Sequence, residues 1–433
     1  MPGEYRDGAR VLIMGQAPGA EEEAQGRPFV GPTGEMMNSY LHRAGLTRDD
    51  CSFDNAIRCR WRGSNNLPPV GETVIRDAID HCARAHGRIP RGTELVVTQG
   101  DYACLAATGD GSSTTWRGWL VPHVNGAGHG HHLQEPWVPV PGSLAVLPTV
   151  HLARLFHEPA LGPATRMDWA KIPRILTGTW PRRPPRFRYE PVTWPQRFAF
   201  DTEYVPPVYG ASPLSAKLLR WSLSWGLEDG ETTVVEAGEA PEPWVNPLPP
   251  ATVITQYAPA DVHHLARLVG LTRDNLYRTV KLEDTVIKHS VLYPDMEHNL
   301  DFLGSLFSSM NRWKHLREVP GAELLYAGCD ALGTLEVDNA LERELNGDPR
   351  SRWLYENVDR PAIEDFVEAQ YRGIWVDHRR AGELVRELAL EASEAGAWAT
   401  AAVGWPINLA SADQVGHLLY NYFGMPKPRR KRR

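Results

Sequence analysis

The sequence predicts an α/β protein in which two α/β domains are followed by a short helical segment. Three observations lead to this prediction. Short apolar runs alternate with helical patterns up to about residue 176. A second set of this kind begins at Phe198, and after Pro361 the pattern becomes helical. The 433 residues are enough for two to four domains of ordinary size.

In the first domain, the runs at 10–15, 94–98 and 144–148 are typical of buried strands. The first of them ends at a glycine turn. The pattern at 71–86 predicts a helix. The stretch 108–141 is rich in Gly, Ser, Pro and His, so we expect a long surface loop there.

The domain boundaries follow from changes in composition. We expect an N-terminal domain at 1–176 and a Pro/Arg-rich linker at 177–196. A second α/β domain is expected at 197–348, and a helical region with a basic tail at 349–433.

The charge distribution bears on nucleic-acid binding. The net charge of −7 argues against a protein that binds nucleic acid over its whole surface. The stretch 181–188 nevertheless carries four arginines and no acid, and the last seven residues carry six positive charges. Such runs are either solvated linkers and tails or contacts to a polyanion.

Compartment and membrane association are predicted from what the sequence does not contain. No apolar run approaches the roughly 18–20 residues that span a bilayer, and the first residues have no signal-peptide pattern. The five cysteines are scattered and odd in number. We therefore expect a cytoplasmic protein with no membrane partner.

Two carboxylates stand one residue apart where an apolar strand ends. Asp201 and Glu203 follow Phe198-Ala199-Phe200, and residues i and i+2 of a strand point to one face. Two acids on one face repel each other unless a cation lies between them, and hard cations such as Mg²⁺ prefer oxygen ligands. The alternative is a strand end with solvent-exposed acids.

Two further patterns favour the metal site. Asp261 begins a helical pattern, and Tyr326 and Asp330 stand at i and i+4, on one face of another helix. A tyrosine one turn from a metal-binding aspartate can aim its hydroxyl at metal-bound water. Four acids and one tyrosine of this kind suit a two-metal site for phosphodiester hydrolysis, with Mg²⁺ or Mn²⁺ as cofactor.

These three motifs resemble those of the DEDD-type 3′–5′ exonucleases, and their order and spacing are most similar to the proofreading domain of family A DNA polymerases. The resemblance implies a ribonuclease H-like domain that acts on the 3′ end of single-stranded DNA. It implies that Asp201, Glu203, Asp261 and Asp330 bind the metals and that Tyr326 takes part in catalysis.

The stretch 282–307 also resembles that family, and this resemblance implies a structural or supporting role for Asp284. One position departs from the family pattern. Tyr257 stands where the family usually has an asparagine that helps to hold substrate, so the chain is expected to be less active or to hold the end nucleotide in a different position.

The C-terminal helical stretches at 360–377 and 407–426 resemble the start of the polymerase region of family A. No palm motif follows. We expect either one part of a split polymerase, with a separate palm and fingers subunit as partner, or a truncated chain. The order of domains resembles some polymerases of large phages, which would place the protein in the host-cell cytoplasm.

The N-terminal stretch 11–34 predicts a strand followed by a glycine- and proline-containing turn (Gly15, Gln16, Pro18, Gly19), whose backbone amides could approach a ligand. Together with GRPFVG, NAIRC at 55–59, RG at 117–118 and LPTVH at 147–151, it resembles the family 4 uracil-DNA glycosylases. The resemblance implies a three-layer αβα fold over most of residues 10–176.

The resemblance also implies a base pocket. Phe29 would stack on a flipped base, Asn55 would read its Watson–Crick edge, and His151 would stabilise charge that develops on the base. From the residues alone, Phe29 could equally belong to the core, Asn55 could cap a strand end, and His151 could be a turn residue.

Three features put glycosylase catalysis in doubt. The family usually has glutamate where this chain has Gln16, and an amide can orient water but cannot take its proton. Leu152 stands where the family usually has proline. Cys59 and Cys82 match two ligands of the family's four-iron cluster, but the Cys-x-x-Cys that would supply the other two is missing. We therefore do not expect a 4Fe–4S cluster.

One cluster has no place in either resemblance. His123, His129, His131 and His132 are close enough in sequence to bind Zn²⁺, but no Cys or acid lies among them. We favour a mobile loop.

The function expected from the whole sequence is a metal-dependent 3′–5′ exonuclease that proofreads for a replicative DNA polymerase and carries a glycosylase-like domain. The alternatives are a uracil-DNA glycosylase, or a non-catalytic subunit of a split polymerase that binds DNA or senses uracil.

Overall fold

The computed structural model describes residues 1–61, 66–86, 89–123, 135–140, 142–189, 193–206, 215–236 and 248–427. Their contacts divide the chain into two compact units, Met1–Tyr371 and Arg372–Arg433. The first unit contains both predicted α/β domains. His129, His131 and His132 lie outside the described residues, as does the basic tail after Lys427.

The N-terminal domain is built on a five-stranded sheet in the order β2-β1-β3-β5-β4. Strands β1, β2, β3 and β5 are parallel, and β4 is antiparallel to β5. Its strands are β1 (Val11–Gly15), β2 (Cys51–Asn55), β3 (Leu95–Gln99), β4 (Val121–Pro122) and β5 (Ala145–Thr149). Its helices are α1 (Ala20–Gln25), α2 (Pro32–Arg43), α3 (Thr73–His86), α4 (Asp101–Thr108), α5 (Ser113–Trp116), α6 (Gly162–Ala170) and α7 (Ile172–Leu176).

Alternate residues of these strands face opposite layers of helices. Val11 and Ile13 of β1 pack in one apolar cluster with Leu41 of α2, whereas Leu12 and Met14 pack in another with residues of α4. A buried parallel strand covered on both faces is apolar throughout, which is what the run at 10–15 indicated. The domain is therefore the expected three-layer αβα sandwich.

The second domain has a mixed five-stranded sheet in the order β10-β9-β6-β7-β8. Strands β6, β9 and β10 are parallel, and β7 and β8 are antiparallel to their neighbours. The strands are β6 (Arg197–Val205), β7 (Lys217–Ser224), β8 (Thr232–Glu236), β9 (Ala251–Thr255) and β10 (Val280–Asp284). The helices are α8 (Ala258–Leu268), α9 (Arg273–Thr279), α10 (Thr285–Leu292), α11 (Leu300–Phe307), α12 (Glu323–Gly347), α13 (Pro349–Leu354) and α14 (Ala362–Arg372).

The second unit is helical and consists mainly of α15 (His378–Val403) and α16 (Ala412–His417). The predicted fold class, two α/β domains followed by a helical segment, is thus confirmed. None of the helices in the described ranges combines the length and hydropathy that a bilayer crossing requires.

Two segments differ from their sequence prediction. The expected surface loop at 108–141 contains α5 and β4, and its residues Trp116, Trp119 and Leu120 are buried. The expected linker at 177–196 is fixed by its aromatic residues, because Trp180, Phe187 and Trp194 are also buried. Composition indicated open chain, but these large apolar side chains have cores to enter.

The linker also bonds to the second domain. The Arg182 backbone N–H donates to the Ser309 carbonyl at 2.9 Å, and the Arg182 guanidinium pairs with Glu336 at 2.7 Å. The stretch 181–188 therefore supplies packing and ion pairs to the second domain, and at least this one of its four arginines is engaged within the chain.

Candidate active sites

The acids of the second domain converge where β6 meets helix α12. Asp201 and Glu203 lie on β6, and a register shift against β7 falls between Glu203 and Tyr204. Asp330 is buried on α12. These three carboxyl groups each offer an oxygen atom, and the three oxygens lie within 4.8 Å of one another. In the part of the chain that the structure describes, this is the one group of three or more His, Cys, Asp or Glu side chains that meets this distance.

Asp261 approaches the same strand from helix α8. Its Oδ1 accepts hydrogen bonds from the Thr202 backbone N–H at 3.0 Å and from the Thr202 hydroxyl at 2.6 Å. It is not one of the three acids that share the 4.8 Å distance. Its charge nevertheless acts on Asp201, as the pKa of that group indicates.

Burial and mutual repulsion make this cluster costly without a cation. Burial, reinforced by the charges of Asp330 and Asp261, raises the pKa of Asp201 well above its usual value. Burial and the charge of Asp330 also raise the pKa of Glu203. The Asp201 Oδ2 atom is buried without a hydrogen-bond partner among the described residues. An all-carboxylate donor set with such an orphaned oxygen fits Mg²⁺ or Mn²⁺.

Two donors hold Asp330 from the segment that precedes α12. The Trp313 indole N–H donates to Asp330 Oδ1 at 2.5 Å, and the Lys314 ammonium donates to the same oxygen at 2.6 Å. Lys314 also lies 3.3 Å from the Tyr326 hydroxyl oxygen. Neither donor was identified from the sequence, because no spacing rule links Trp313 and Lys314 to an acid on the following helix.

Tyr326 is buried one turn before Asp330 on α12. Burial and the charge of Asp330 raise the pKa of its hydroxyl. The group therefore keeps its proton at neutral pH and can donate a hydrogen bond.

Asp284 lies outside the acid cluster and organises two helices. Its Oδ1 caps α10 by accepting from the backbone N–H groups of Val286 at 2.8 Å and Ile287 at 3.2 Å. Its Oδ2 accepts from the Ala258 backbone N–H at 2.6 Å. Ala258 is the first residue of α8, the helix that carries Asp261, so Asp284 fixes where that helix begins.

Tyr257, which stands where the family pattern has asparagine, is half-exposed at the N-terminus of α8. Its hydroxyl donates to Gln370 Oε1 at 2.9 Å. An aromatic ring there offers area for stacking but no amide.

A second candidate site is a cavity of about 480 Å³ in the N-terminal domain. It lies at the carboxyl ends of β1 and β2, where parallel sheets commonly hold ligands. Its lining includes six of the seven residues predicted for the base pocket, namely Gln16, Pro18, Gly19, Phe29, Asn55 and His151.

The seventh residue, Gly15, keeps the floor of this cavity open. A Cβ atom at Gly15 would lie 2.4 Å from Asn55 Oδ1 and 2.8 Å from Phe29 Cζ. Phe29 has a positive φ of 55°, which is uncommon for a non-glycine residue.

Glu22 holds the turn that carries Phe29. It accepts from the backbone N–H of Phe29 through Oε1 and from that of Gly19 at 2.6 Å through Oε2. Glu22 was not singled out from the sequence, where it is one of three consecutive glutamates.

His151 and Asn55 give the cavity two hydrogen-bond donors. His151 Nδ1 accepts from the Ala153 backbone N–H at 3.2 Å, which assigns the proton of the neutral ring to Nε2. Burial lowers the pKa of His151 to about 4, so the ring is neutral at physiological pH. Asn55 Nδ2 is buried and has no hydrogen-bond partner among the described residues.

Comparison with known proteins agrees with this geometry. Residues 2–171 match the uracil DNA glycosylase superfamily. The N-terminal domain is a uracil-DNA glycosylase superfamily domain.

Similar proteins include Type-4 uracil-DNA glycosylases and a DNA polymerase I. The Type-4 uracil-DNA glycosylase of Pyrobaculum aerophilum is 38% identical over 82 residues, 19% of this chain and 38% of that protein. The enzyme of the same name from Sulfurisphaera tokodaii is 26% identical over 181 residues, 40% of this chain and 72% of that protein. DNA polymerase I of Chloroflexus aurantiacus is 30% identical over 116 residues, 27% of this chain and 12% of that protein. The chain thus spans little more than a third of the Pyrobaculum enzyme and about an eighth of the polymerase.

Within the glycosylase-superfamily domain, Gln16 and His151 both line the cavity and lie beside Gly100. The Gln16 amide nitrogen lies 2.3 Å from where a Cβ atom of Gly100 would stand, and His151 Cβ lies 3.1 Å from the same point. Gly100 has a φ of +82° and leaves the space that Gln16 occupies. The Gln16 amide therefore lies near the backbone end of the His151 side chain.

The cysteines of this domain differ in solvent exposure, and two of them have a raised pKa. Cys59 is exposed and Cys82 is buried, with the Arg58 backbone N–H 3.5 Å from Cys82 Sγ. Burial raises the pKa of both Cys51 and Cys104 to about 12, so neither is a thiolate at neutral pH.

A further cavity, of about 790 Å³, lies at the opposite end of the second sheet from the acid cluster, at the starts of β6, β9 and β10. Charged side chains line it, and the central ones are paired, as Lys288 is with Asp338 at 2.6 Å. Arg352 in its lining has a buried Nε without a hydrogen-bond partner among the described residues, but the other two nitrogens of this guanidinium pair with Glu356 and Glu342. We assign this cavity no chemistry.

Proposed function

We propose that the protein is a metal-dependent 3′–5′ exonuclease that acts on DNA. The observation that supports this most strongly is the convergence of Asp201, Glu203 and Asp330 within 4.8 Å, with Asp261 beside Asp201. The partial similarity to DNA polymerase I supports a role in proofreading for a replicative polymerase. On this proposal the partner is DNA with a free 3′ end.

Each residue has a defined task in this proposal. Bound Mg²⁺ or Mn²⁺ would activate water and stabilise the leaving 3′ oxygen. Asp201, Glu203, Asp261 and Asp330 would hold the ions. Tyr326 keeps its proton because the pKa of its hydroxyl is raised, so it would orient the attacking water as a donor.

Lys314 reduces the net negative charge of the acid cluster. Burial alone would lower the pKa of Lys314, but the charges of Asp330, Tyr326 and Asp201 and the hydrogen bond to Asp330 together outweigh burial, and the pKa is raised. The ammonium group therefore stays charged beside Asp330. From this position its positive charge can attract a phosphate group to the acid cluster.

The proposal is tested with a 5′-labelled single-stranded oligonucleotide and Mg²⁺. The wild type should give a ladder that shortens from the 3′ end and stops with EDTA. Asp201→Asn/Glu203→Gln should give none, since it keeps the shape of both side chains and removes both charges. His151→Ala, altered in the other domain, should digest at the wild-type rate. Equal digestion by wild type and the double variant would refute the site.

We propose a second activity, binding of uracil in DNA by the N-terminal cavity. The specific observation is the pair of donors, the unpaired Asn55 amide and the neutral His151 ring, that face one cavity. Uracil offers carbonyl oxygens to such donors. Excision itself requires activated water, and Gln16 cannot take its proton.

This second activity is measured in EDTA, where the nuclease is inactive. Uracil-containing oligonucleotide should bind more tightly than its cytosine counterpart, because cytosine has an amino donor where uracil has its O4 carbonyl. Abasic sites should form slowly or not at all. Asn55→Ala should abolish the preference, and the nuclease double variant should retain it. Equal affinity of the wild type for the two oligonucleotides would refute the proposal.

A further inference from the structure

A segment of the N-terminal domain enters the core of the second domain. Trp119 is 1% exposed and belongs to the apolar cluster that contains Trp313, Leu303 and Met310. The rings of Trp119 and Trp313 meet edge to face, with centroids 5.9 Å apart and planes at 78°. The two domains therefore share one core at this point.

Polar contacts fix this segment in place. The Leu120 backbone N–H donates to Asn311 Oδ1 at 3.0 Å, and Asn311 Nδ2 donates back to the Leu120 carbonyl at 2.9 Å. Two residues earlier than Trp119, Arg117 bonds both oxygens of Asp168 at 2.7 and 2.8 Å and donates to Ser305 Oγ at 2.5 Å. Arg117, Asp168 and Asn311 are all buried, so these bonds are protected from water.

Trp313 has little freedom to move. Cβ atoms at Gly304 and Gly333 would lie 2.8 and 2.6 Å from its ring carbon Cη2. The absence of side chains at these two positions makes the slot into which the indole fits. Trp119 closes the slot from the N-terminal domain, since its own Cη2 lies 3.2 Å from the same Cβ position at Gly304.

The held indole acts on the acid cluster. Its N–H donates to Asp330 Oδ1 at 2.5 Å, and Asp330 is one of the three acids that share the 4.8 Å distance. A donor to a ligand carboxylate fixes its orientation. The contacts thus run without a gap from Trp119 through Trp313 to Asp330.

We propose that Trp119 is a positioning residue for the nuclease site, and that the glycosylase-superfamily domain is thereby a structural part of that site. The proposal rests on the proposed exonuclease function. The N-terminal domain then has two roles: its own cavity binds a base, and its Trp119 keeps Asp330 oriented for metal through Trp313.

The test measures Mn²⁺ affinity by calorimetry on the full chain. Trp119→Leu keeps an apolar side chain and removes the ring that confines Trp313. Trp313→Phe keeps a ring and removes the N–H donor. Each should weaken Mn²⁺ binding about tenfold, the usual cost of losing a partner that orients a metal ligand. Ile75→Ala truncates a fully buried side chain in an apolar cluster of the N-terminal domain that contains no residue of 117–120, and should leave Mn²⁺ affinity unchanged.

The outcomes separate this proposal from the proposed function. In one outcome, Asp201→Asn/Glu203→Gln loses Mn²⁺ binding while Trp119→Leu binds Mn²⁺ as strongly as the wild type. That result overturns the positioning role of Trp119 and leaves the nuclease site standing. If Trp119→Leu does not fold, wild-type affinity in Trp313→Phe overturns it instead. A wild-type chain that binds no Mn²⁺, or binds it as its double variant does, refutes the nuclease site itself.

Discussion

Asp284 should be worth more to stability than an ordinary helix cap, because it serves two helices from a buried position. The change to test is Asp284→Ala. It removes the two backbone bonds that cap α10, at a cost of about 1 kcal/mol. It also leaves the Ala258 N–H, at present 2.6 Å from Asp284 Oδ2, buried without an acceptor, which costs about 1–3 kcal/mol more.

The expected total for Asp284→Ala is a loss of about 2–4 kcal/mol in the free energy of unfolding. Asp284→Asn should lose about half as much, because its oxygen can still cap α10 while its amide N–H faces that of Ala258. Thr272→Ala is the matched control. It removes a single cap bond, at 3.3 Å from the Asn275 N–H, at an exposed helix start, and should cost about 0.5–1 kcal/mol.

The assay is urea denaturation followed by circular dichroism, in which the midpoint is compared at constant slope. A loss for Asp284→Ala no larger than that for Thr272→Ala would refute the reasoning. An equal loss for the alanine and asparagine variants would also refute it. In that case the oxygen that asparagine retains as an acceptor for α10 would contribute nothing to stability.

Three further predictions concern the N-terminal cavity. Gly15→Ala should abolish preferential binding of uracil DNA in a fluorescence titration, because its Cβ would lie 2.4 Å from Asn55 Oδ1. Gly71→Ala is the control and should keep the preference, because open space surrounds that position. Retained preference in Gly15→Ala would show that the cavity is not the base site. Gln16→Glu should raise the rate of abasic-site formation in EDTA about 100-fold or more, the usual contribution of a general base, and an unchanged rate would place the attacking water elsewhere. Because burial lowers the pKa of His151 to about 4 from an ordinary 6.5, uracil binding should stay constant from about pH 8 to about pH 5.5. It should fall only as the pH approaches 4, where a proton on Nδ1 opposes the Ala153 N–H that this atom accepts at 3.2 Å and displaces the ring; a midpoint near 6.5 would contradict this.

Local patterns predicted the elements that carry the chemistry. The run at 10–15 became β1, and Asp201 and Glu203 lie on β6 as the i and i+2 spacing indicated. The spacing of Tyr326 and Asp330 likewise placed both on one helix. Such predictions succeed because the period of a strand or helix fixes which neighbouring side chains share a face.

Contacts between distant segments were not predictable in this way. Trp313 and Lys314 donate to Asp330 across a chain reversal, and no periodicity relates them. Arg117 was noted only as part of a family pattern, yet its guanidinium joins the two domains through Asp168 and Ser305. Proline- and glycine-rich composition suggested open chain at 108–141 and 177–196. Trp119 of the first stretch nevertheless packs in a core of the second domain, and Trp180 and Trp194 of the second stretch pack in cores of the first and second domains.

The central claim, that the second domain holds a metal-dependent nuclease site, is tested most directly by calorimetric titration of Mn²⁺ into the full chain. The wild type should bind Mn²⁺ with measurable affinity, because burial and mutual repulsion raise the pKa of Asp201 and Glu203 and a cation relieves that repulsion. Asp201→Asn/Glu203→Gln should lose that binding. Identical isotherms for the two proteins would contradict the claim.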